Sequence, residues 1–347
     1  MSVRWRSMRP GDVRECVEIV AADPVSGPRY GSAITHLQSV WLRLLGWRAF
    51  RSVVFEDLGE QRPRLIGVGI SAFLTEDYAH AVKGPLLFWV APDLVRRVMA
   101  GEAPLLNDRQ LQDANTSCGL RNYVWHGCTR LEDRARPEVH NSVITAFVEQ
   151  HRGYFLSELL AQGEGEQQVE MILNTGGLLW SGTAGGYVVA PADSPKRLLS
   201  EPHILGLTRE MALGQVGSWV GSLFIYQSPQ FGLRPSEQRL LTTALEGGTD
   251  EELAEDLGIS LSAVKKAWRT IYQRIAGSQP ALLPDELTDE RWGGKRGKEK
   301  KQRLIAYLRE HPEELRPLSR KLLPRHAARW RSLPAKAAIP ITAKVTN

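Results

Sequence analysis

Four polar residues fall at a spacing that gathers them on one side of a helix. With Val264 set at zero and about 100° per residue, Lys265 lies near 100°, Arg269 near 140°, Ser262 near 160° and Lys266 near 200°. That face carries three cations and no carboxylate. Ile271, Ile275 and Trp268 fall at about −20°, 20° and 40°, so they share an apolar stripe with Val264 on the other side. Arginine and lysine donate to guanine O6 and N7, and serine reaches bases or phosphate. Phosphate contacts set register and add salt-dependent affinity. The chemistry on offer is noncovalent reading of a duplex. A basic amphipathic helix by itself is more often a solvated surface, so the elements before it decide.

Those elements are two short helices. Pro235 is preorganised for a first helical position. Leu240, Leu241, Ala244 and Leu245 form an apolar face behind it, and Gly247-Gly248 stops the helix. Thr249-Asp250-Glu251-Glu252 is a capping box that opens a second helix, with Leu253, Ala254 and Leu257 turned inward. Gly258 ends it after two turns, and Ser260 caps a third helix running to about Ala276. Two helices joined through Leu257-Gly258-Ile259-Ser260 have the length and turn chemistry of a helix-turn-helix. The second helix holds five acids (Asp250, Glu251, Glu252, Glu255 and Asp256), so the positive face on the third is local.

From Leu233-Arg234-Pro235-Ser236-Glu237 to Ile275 the segment resembles the LuxR/NarL-type helix-turn-helix. The match rests on Glu237, Gly247, Glu252-Leu253-Ala254, Leu257, Ile259-Ser260, Val264-Lys265, Ile271-Tyr272 and Ile275, without a gap over about 43 residues. The resemblance implies that Lys265, Lys266 and Arg269 lie where the recognition helix meets DNA. The segment departs from the family pattern at Arg234, Ala263, Ala267 and Trp268, so no base preference is carried over. Sigma-factor region four shares much of the pattern, but no promoter-melting region precedes it.

The remainder is less specific. The 347 residues are 42% hydrophobic and 24% charged, ordinary for a globular chain of about two domains. No apolar run is long enough for a spanning helix, and the amino-terminal MSVRWRSMRPGD lacks the apolar core of a secretory signal. Three cysteines make no disulfide framework, which points to the cytoplasm. Net charge is +5; residues 291–347 carry 16 Lys+Arg against 4 Asp+Glu, a surplus of 12 that leaves −7 on the first 290. A basic end on an acidic body suits an anionic partner.

Strands are expected at Arg51–Phe55, Leu65–Ile70, Tyr123–His126, Tyr187–Val189 and Ser222–Tyr226, and helices at Thr35–Leu45 and Val139–Ala161. Val3–Val13 and Arg64–Gly69 resemble the opening strand and helix and a central strand of the GNAT-type acetyltransferase fold. The Gln/Arg-x-x-Gly-x-Gly/Ala loop that cradles a pyrophosphate in that fold is absent. There is no phosphate-receiver signature. Cys118, His126 and Cys128 suit a nucleophile or a metal, or else a buried structural role. His140, Glu149 and His151 lack a zincin spacing. Gly182–Gly186 reads as a turn, not a phosphate loop. Trp41, Trp47, Trp89, Trp125 and Trp180 either line a cavity or fill the core. Lys295–Lys301 precedes a helix from Glu299 to Arg309, in which Leu304, Ile305 and Leu308 form an apolar edge. That tail lies along phosphates, supports a dimer, or is a solvated extension.

These features define an α+β chain: residues 1–228 a large mixed α/β sensory or dimerisation domain with the GNAT-like resemblance, 229–277 an all-α LuxR-type helix-turn-helix, and 278–347 a basic, partly helical extension. The expected function is transcription regulation by a homodimer on double-stranded DNA. Ser262, Lys265, Lys266 and Arg269 would make the contacts. No catalysis, cofactor, metal or membrane partner is expected, and a small-molecule or protein effector is left open. The alternatives are an acetyltransferase-like enzyme carrying a nucleic-acid-binding module, and a helix-turn-helix used only for contacts to proteins.

Overall fold

The computed structural model describes residues 3–59, 62–85, 88–163, 166–191, 201–215, 218–245, 247–283 and 296–319. Lys295 and everything beyond residue 319 lie outside them, so the sequence readings at those places have no structural counterpart. The chain is α+β, with a mixed α/β amino-terminal region and a helical carboxyl-terminal region.

Short runs of β-branched and aromatic residues form the sheet. Its strands are β1 (Val3–Ser7), β2 (Phe50–Asp57), β3 (Arg64–Phe73), β4 (Leu120–Thr129), β5 (Leu156–Ala161), β6 (Leu178–Ser181), β7 (Gly186–Val188) and β8 (Leu205–Thr208). They lie in the order β1-β2-β3-β4-β5-β8-β6-β7. Among these pairs only β4 and β5 run parallel, registered from Leu120↔Leu156 to Val124↔Ala161. Strand β5 ends at Ala161, opposite Val124, and β4 continues to Thr129 without β5 beside it.

Helices α1 (Val13–Ala22), α2 (Ser26–Tyr30) and α3 (Ile34–Leu44) precede β2, and α3 agrees with the helix expected at Thr35–Leu45. The long connection from β3 to β4 holds α4 (Glu76–Ala81), α5 (Val90–Met99) and α6 (Asp108–Thr116). Val13, Val20, Leu37, Trp41, Leu94 and Trp125 belong to the main core. Helix α7 (Pro137–His151) closes a second cluster, in which its Val139 and Ala146 meet Val53, Phe55 and Ile66. Helices α8 (Glu166–Asn174) and α9 (Arg209–Gly214) flank the late strands.

Two sequence expectations are corrected. The helix expected over Val139–Ala161 ends at His151, because Gly153 takes a left-handed φ of 79° and turns the chain into β5. The strand expected at Ser222–Tyr226 is instead a 3-10 turn at Val220–Phe224. Val220 and Leu223, three apart, eclipse on its buried side.

The carboxyl-terminal helices are α10 (Pro235–Leu245), α11 (Asp250–Leu257), α12 (Leu261–Ser278) and α13 (Arg296–Glu310). Leu240, Leu241, Leu253, Val264, Ile271 and Ile275 share one core with Leu283, Leu304, Leu308 and Leu315. No described helix is long and apolar enough to cross a membrane.

Candidate nucleic-acid interface

Local bonds set each helix of the carboxyl-terminal unit. Glu237, buried on α10, accepts from the Arg234 amide at 2.7 Å. The same carboxylate pairs with Arg274 of α12 at 3.1 Å, so one side chain starts the first helix and ties it to the third. At the head of α11 the Thr249 hydroxyl accepts from the Glu252 amide at 3.2 Å, and the Glu252 carboxylate accepts from the Thr249 amide at 2.7 Å. Gly258, at φ 63°, ends that helix in the left-handed conformation. Ser260 then caps α12, accepting from the Ala263 amide at 3.2 Å.

Helix α12 is divided as its spacing requires. Val264, Trp268, Ile271 and Ile275 are buried, whereas Ser262, Lys265, Lys266 and Arg269 are all exposed. Its 18 residues span about 27 Å. Among the described residues, Lys265, Lys266 and Arg269 form no ion pair. Other cations of the unit do: Arg274 meets Glu237, and Lys301 meets Asp250 at 2.9 Å. The Ser262 hydroxyl lies 2.9 Å from that of Ser260 and so extends the cap.

Two positioning residues escaped the sequence reading. Asp250 of α11 accepts from the Trp268 indole at 3.2 Å and from Lys301 of α13, while the Lys301 ammonium stands 5.2 Å from the Trp268 ring. Helix α13 therefore backs α12. Leu304 and Leu308 are fully buried in the shared core, so this part of the apolar edge is consumed within the chain, not offered to a dimer partner.

The other residues singled out by type are scattered. Cys118 precedes β4 and Cys128 lies near its far end, about 33 Å apart along an extended strand, so they share no site. His126 is buried, 2.5 Å from the Tyr30 hydroxyl and 3.8 Å from the Cys128 sulfur. Among the described residues no group of three His, Cys, Asp or Glu is placed to hold a metal. His151 donates from Nδ1 to the Phe147 carbonyl and accepts from Ser71, each at 2.6 Å. Burial pushes its imidazole down to about 3, so it is neutral. Trp41 and Trp125 are core residues, Trp47 is partly exposed, Trp89 lies under Arg29 and Trp180 beside Tyr187. None of the five lines the cavity of about 840 Å³ bordered by Tyr78, Arg97, Gln110, Asp113, Cys118 and Arg121.

The turn from β4 into α7 is closed by ion pairs. Here the buried Asp133 carboxylate occupies it, bonded to Arg64 at 2.9 Å and to Arg136 at 2.7 Å. Arg136 also holds Asp57 at 2.6 Å and Glu138 at 3.0 Å. Acids thus surround the helix start, and the arginines already serve them. This turn does not fit a pyrophosphate.

No protein-family model matches the chain, and no curated protein matches it. Its fold is similar to a solved structure from Corynebacterium glutamicum described as histone acetyltransferase HPA2 and related acetyltransferase. Identity is 12%, the TM-score is 0.33, and the match covers 59% of this chain and 95% of that one. The expectation of a chain without catalysis is corrected on this finding, because the similar structure is by description an acetyltransferase.

Proposed function

We propose that the chain binds duplex DNA by laying α12 in the major groove, and that it regulates transcription as a homodimer on paired half-sites. Residues 1–228 serve as the sensory or dimerisation domain. The observation that supports this reading is the row of exposed cations on α12, Lys265, Lys266 and Arg269, free of ion pairs among the described residues while their neighbours are paired. Arg269 and the lysines donate to phosphates or guanines, with Ser262 at the entering end. Selection from a random duplex pool tests the reading. Enrichment of one sequence, lost with Lys265→Ala or Arg269→Ala, is expected; no enrichment, or enrichment untouched by both substitutions, refutes it. A helix-turn-helix used only for protein contacts gives no enrichment.

A second reading makes the α/β region an acetyltransferase-like enzyme that carries this nucleic-acid module. The observation that favours it is that β4 runs on to Thr129 past the end of β5 at Ala161, so no β5 partner covers that stretch of its edge. Phosphates would have to bind away from the turn that holds Asp133. Titration calorimetry with acetyl-CoA decides: no heat at high concentration removes the reading.

A further inference from the structure

The segment that follows α13, His311–Ser319, is bonded to both halves of the molecule. Toward the helical unit, Glu314 accepts from the amides of Gln230 and Phe231 at 2.7 and 2.9 Å. Gln238 of α10 donates to the Arg316 carbonyl at 2.6 Å, and its own carbonyl oxygen accepts from Arg48 of the α/β domain at 2.8 Å. Toward the α/β domain, Arg316 donates to the carbonyls of Arg152 and Glu149 at 2.8 and 3.0 Å. Its guanidinium lies 4.6 Å from the Tyr154 ring. Asn115 of α6 donates to the Pro317 carbonyl at 2.6 Å, and the Ser319 amide donates to the Thr116 hydroxyl at 2.8 Å.

The contact is built, not incidental. Glu314 is 1% exposed and Arg316 8% exposed, and both are satisfied by backbone partners on different sides. A charged side chain enters a protein interior only where hydrogen bonds replace its water. Gly153 supplies the room: a Cβ there would stand 2.4 Å from the Glu313 nitrogen. Asn115 is fully buried, and it also accepts from the Phe155 amide at 2.8 Å, which joins α6 to the start of β5.

We propose that His311–Ser319 is a clamp that fixes the three-helix unit on the α/β domain and carries conformational change between them. The regulatory meaning rests on the DNA-binding reading; the mechanical part does not. Local segments that open independently unfold and exchange independently, whereas a clamped pair behaves as one body. Coupling is reciprocal, so DNA held by α12 must also be felt at α6.

The test uses the full chain, as wild type, Asn115→Ala, Arg316→Met and the double variant, in calorimetry and hydrogen exchange. The wild type is expected to melt in one transition. The double variant is expected to show two, with the Gln230 and Phe231 amides exchanging at least about tenfold faster. Two transitions already in the wild type, or one transition and unchanged exchange in the double variant, overturn the clamp. If Arg316→Met does not fold, Asn115→Ala, which removes a single neutral side chain's bonds, must still speed exchange at Ser319. A saturating random duplex is expected to slow Ser319 exchange in the wild type by about threefold, and not in the double variant. An unchanged rate with duplex bound overturns the coupling. A wild type that binds no duplex overturns the DNA reading, while calorimetry still judges the clamp.

Discussion

Replacing Lys265, Lys266 and Arg269 together by alanine strips the exposed cations from α12 and leaves Val264, Trp268, Ile271 and Ile275 packed. Each lysine or arginine that neutralises a DNA phosphate adds about 0.9 to the slope of log affinity against log salt. Three such contacts set an upper limit of about 2.7 on the slope lost by the variant. Between about 50 and 200 mM salt, roughly 0.6 of a decade, the wild type then loses about fortyfold more affinity than the variant. A residue that reads a base instead of a phosphate leaves the slope alone and costs about 1–3 kcal/mol at every salt concentration. Fluorescence anisotropy on a selected duplex at three salt concentrations separates these contributions. The substituted side chains are exposed, so unfolding free energy is expected to move by less than about 0.5 kcal/mol. A folded variant with wild-type affinity and wild-type slope would refute the reasoning.

Thr249→Ala removes half of the capping box on α11 and is expected to cost about 1 kcal/mol, read as an earlier urea midpoint at unchanged slope. Leu304→Ala leaves a hole in the core that α13 shares with α10–α12 and is expected to cost about 2–5 kcal/mol by the same assay; a cost below about 0.5 kcal/mol would show that α13 does not pack there. Two buried groups of opposite sign contribute to stability against pH between 6.5 and 4.5. His151 is pushed down by burial to about 3 from 6.5, so the unfolded chain alone holds its proton in that interval, and the stability present above pH 6.5 is lost as pH falls toward 3. Burial pushes Glu314 up to about 6 from 4.5, so across that narrower interval the folded chain holds the extra proton and stability rises as pH falls. These contributions oppose each other from pH 6 to 4.5, and denaturant titrations are expected to show the steeper loss below 4.5; a steady decline through the upper interval would mean that Glu314 is not buried as described.

What the chain shows of itself is what local chemistry decides. The start of α10 at Pro235, the box at Thr249, the turn at Gly258 and the cap at Ser260 each depend on neighbours within four residues, and each stands where its residue types place it. The stripe on α12 is equally local. The run from Val139 misled because its apolar residues recur in steps of four and eight, although at about 100° per residue Phe155 and Leu159 drift about 80° and 120° from Phe147, and period alone does not reveal that Gly153 turns the chain. Val220–Phe224 misled because a short apolar run fits a strand or a turn equally well. Arg274 could have been flagged: at about −80° it borders Ile271 on the stripe, where a half-buried cation calls for a carboxylate. Glu237, 37 positions away, is that partner, and such pairs across the fold leave no periodic mark. The Arg316 and Asn115 bonds are longer-range still, which is why the clamp is absent from any reading of spacing.

Trp268 shows how a departure from a pattern and an added element explain one another. At about 40° the indole sits on the margin of the buried stripe, where three helices alone give it a floor but no cover. An indole buries roughly 150–250 Å², worth about 4–6 kcal/mol when fully withdrawn from water. Here Trp268 is only 5% exposed. Tyr272 stacks beside it at 5.7 Å, Asp250 takes its N–H, and the Lys301 stem and ammonium lie over the ring from α13. Removing α13 would uncover an edge of the indole and strand Asp250 without its ammonium partner. The bulky residue on α12 and the helix supplied by the basic extension are therefore one structural feature. The minimal unit able to present Lys265, Lys266 and Arg269 in a fixed frame accordingly extends beyond the residues that resemble a helix-turn-helix, at least to Leu308.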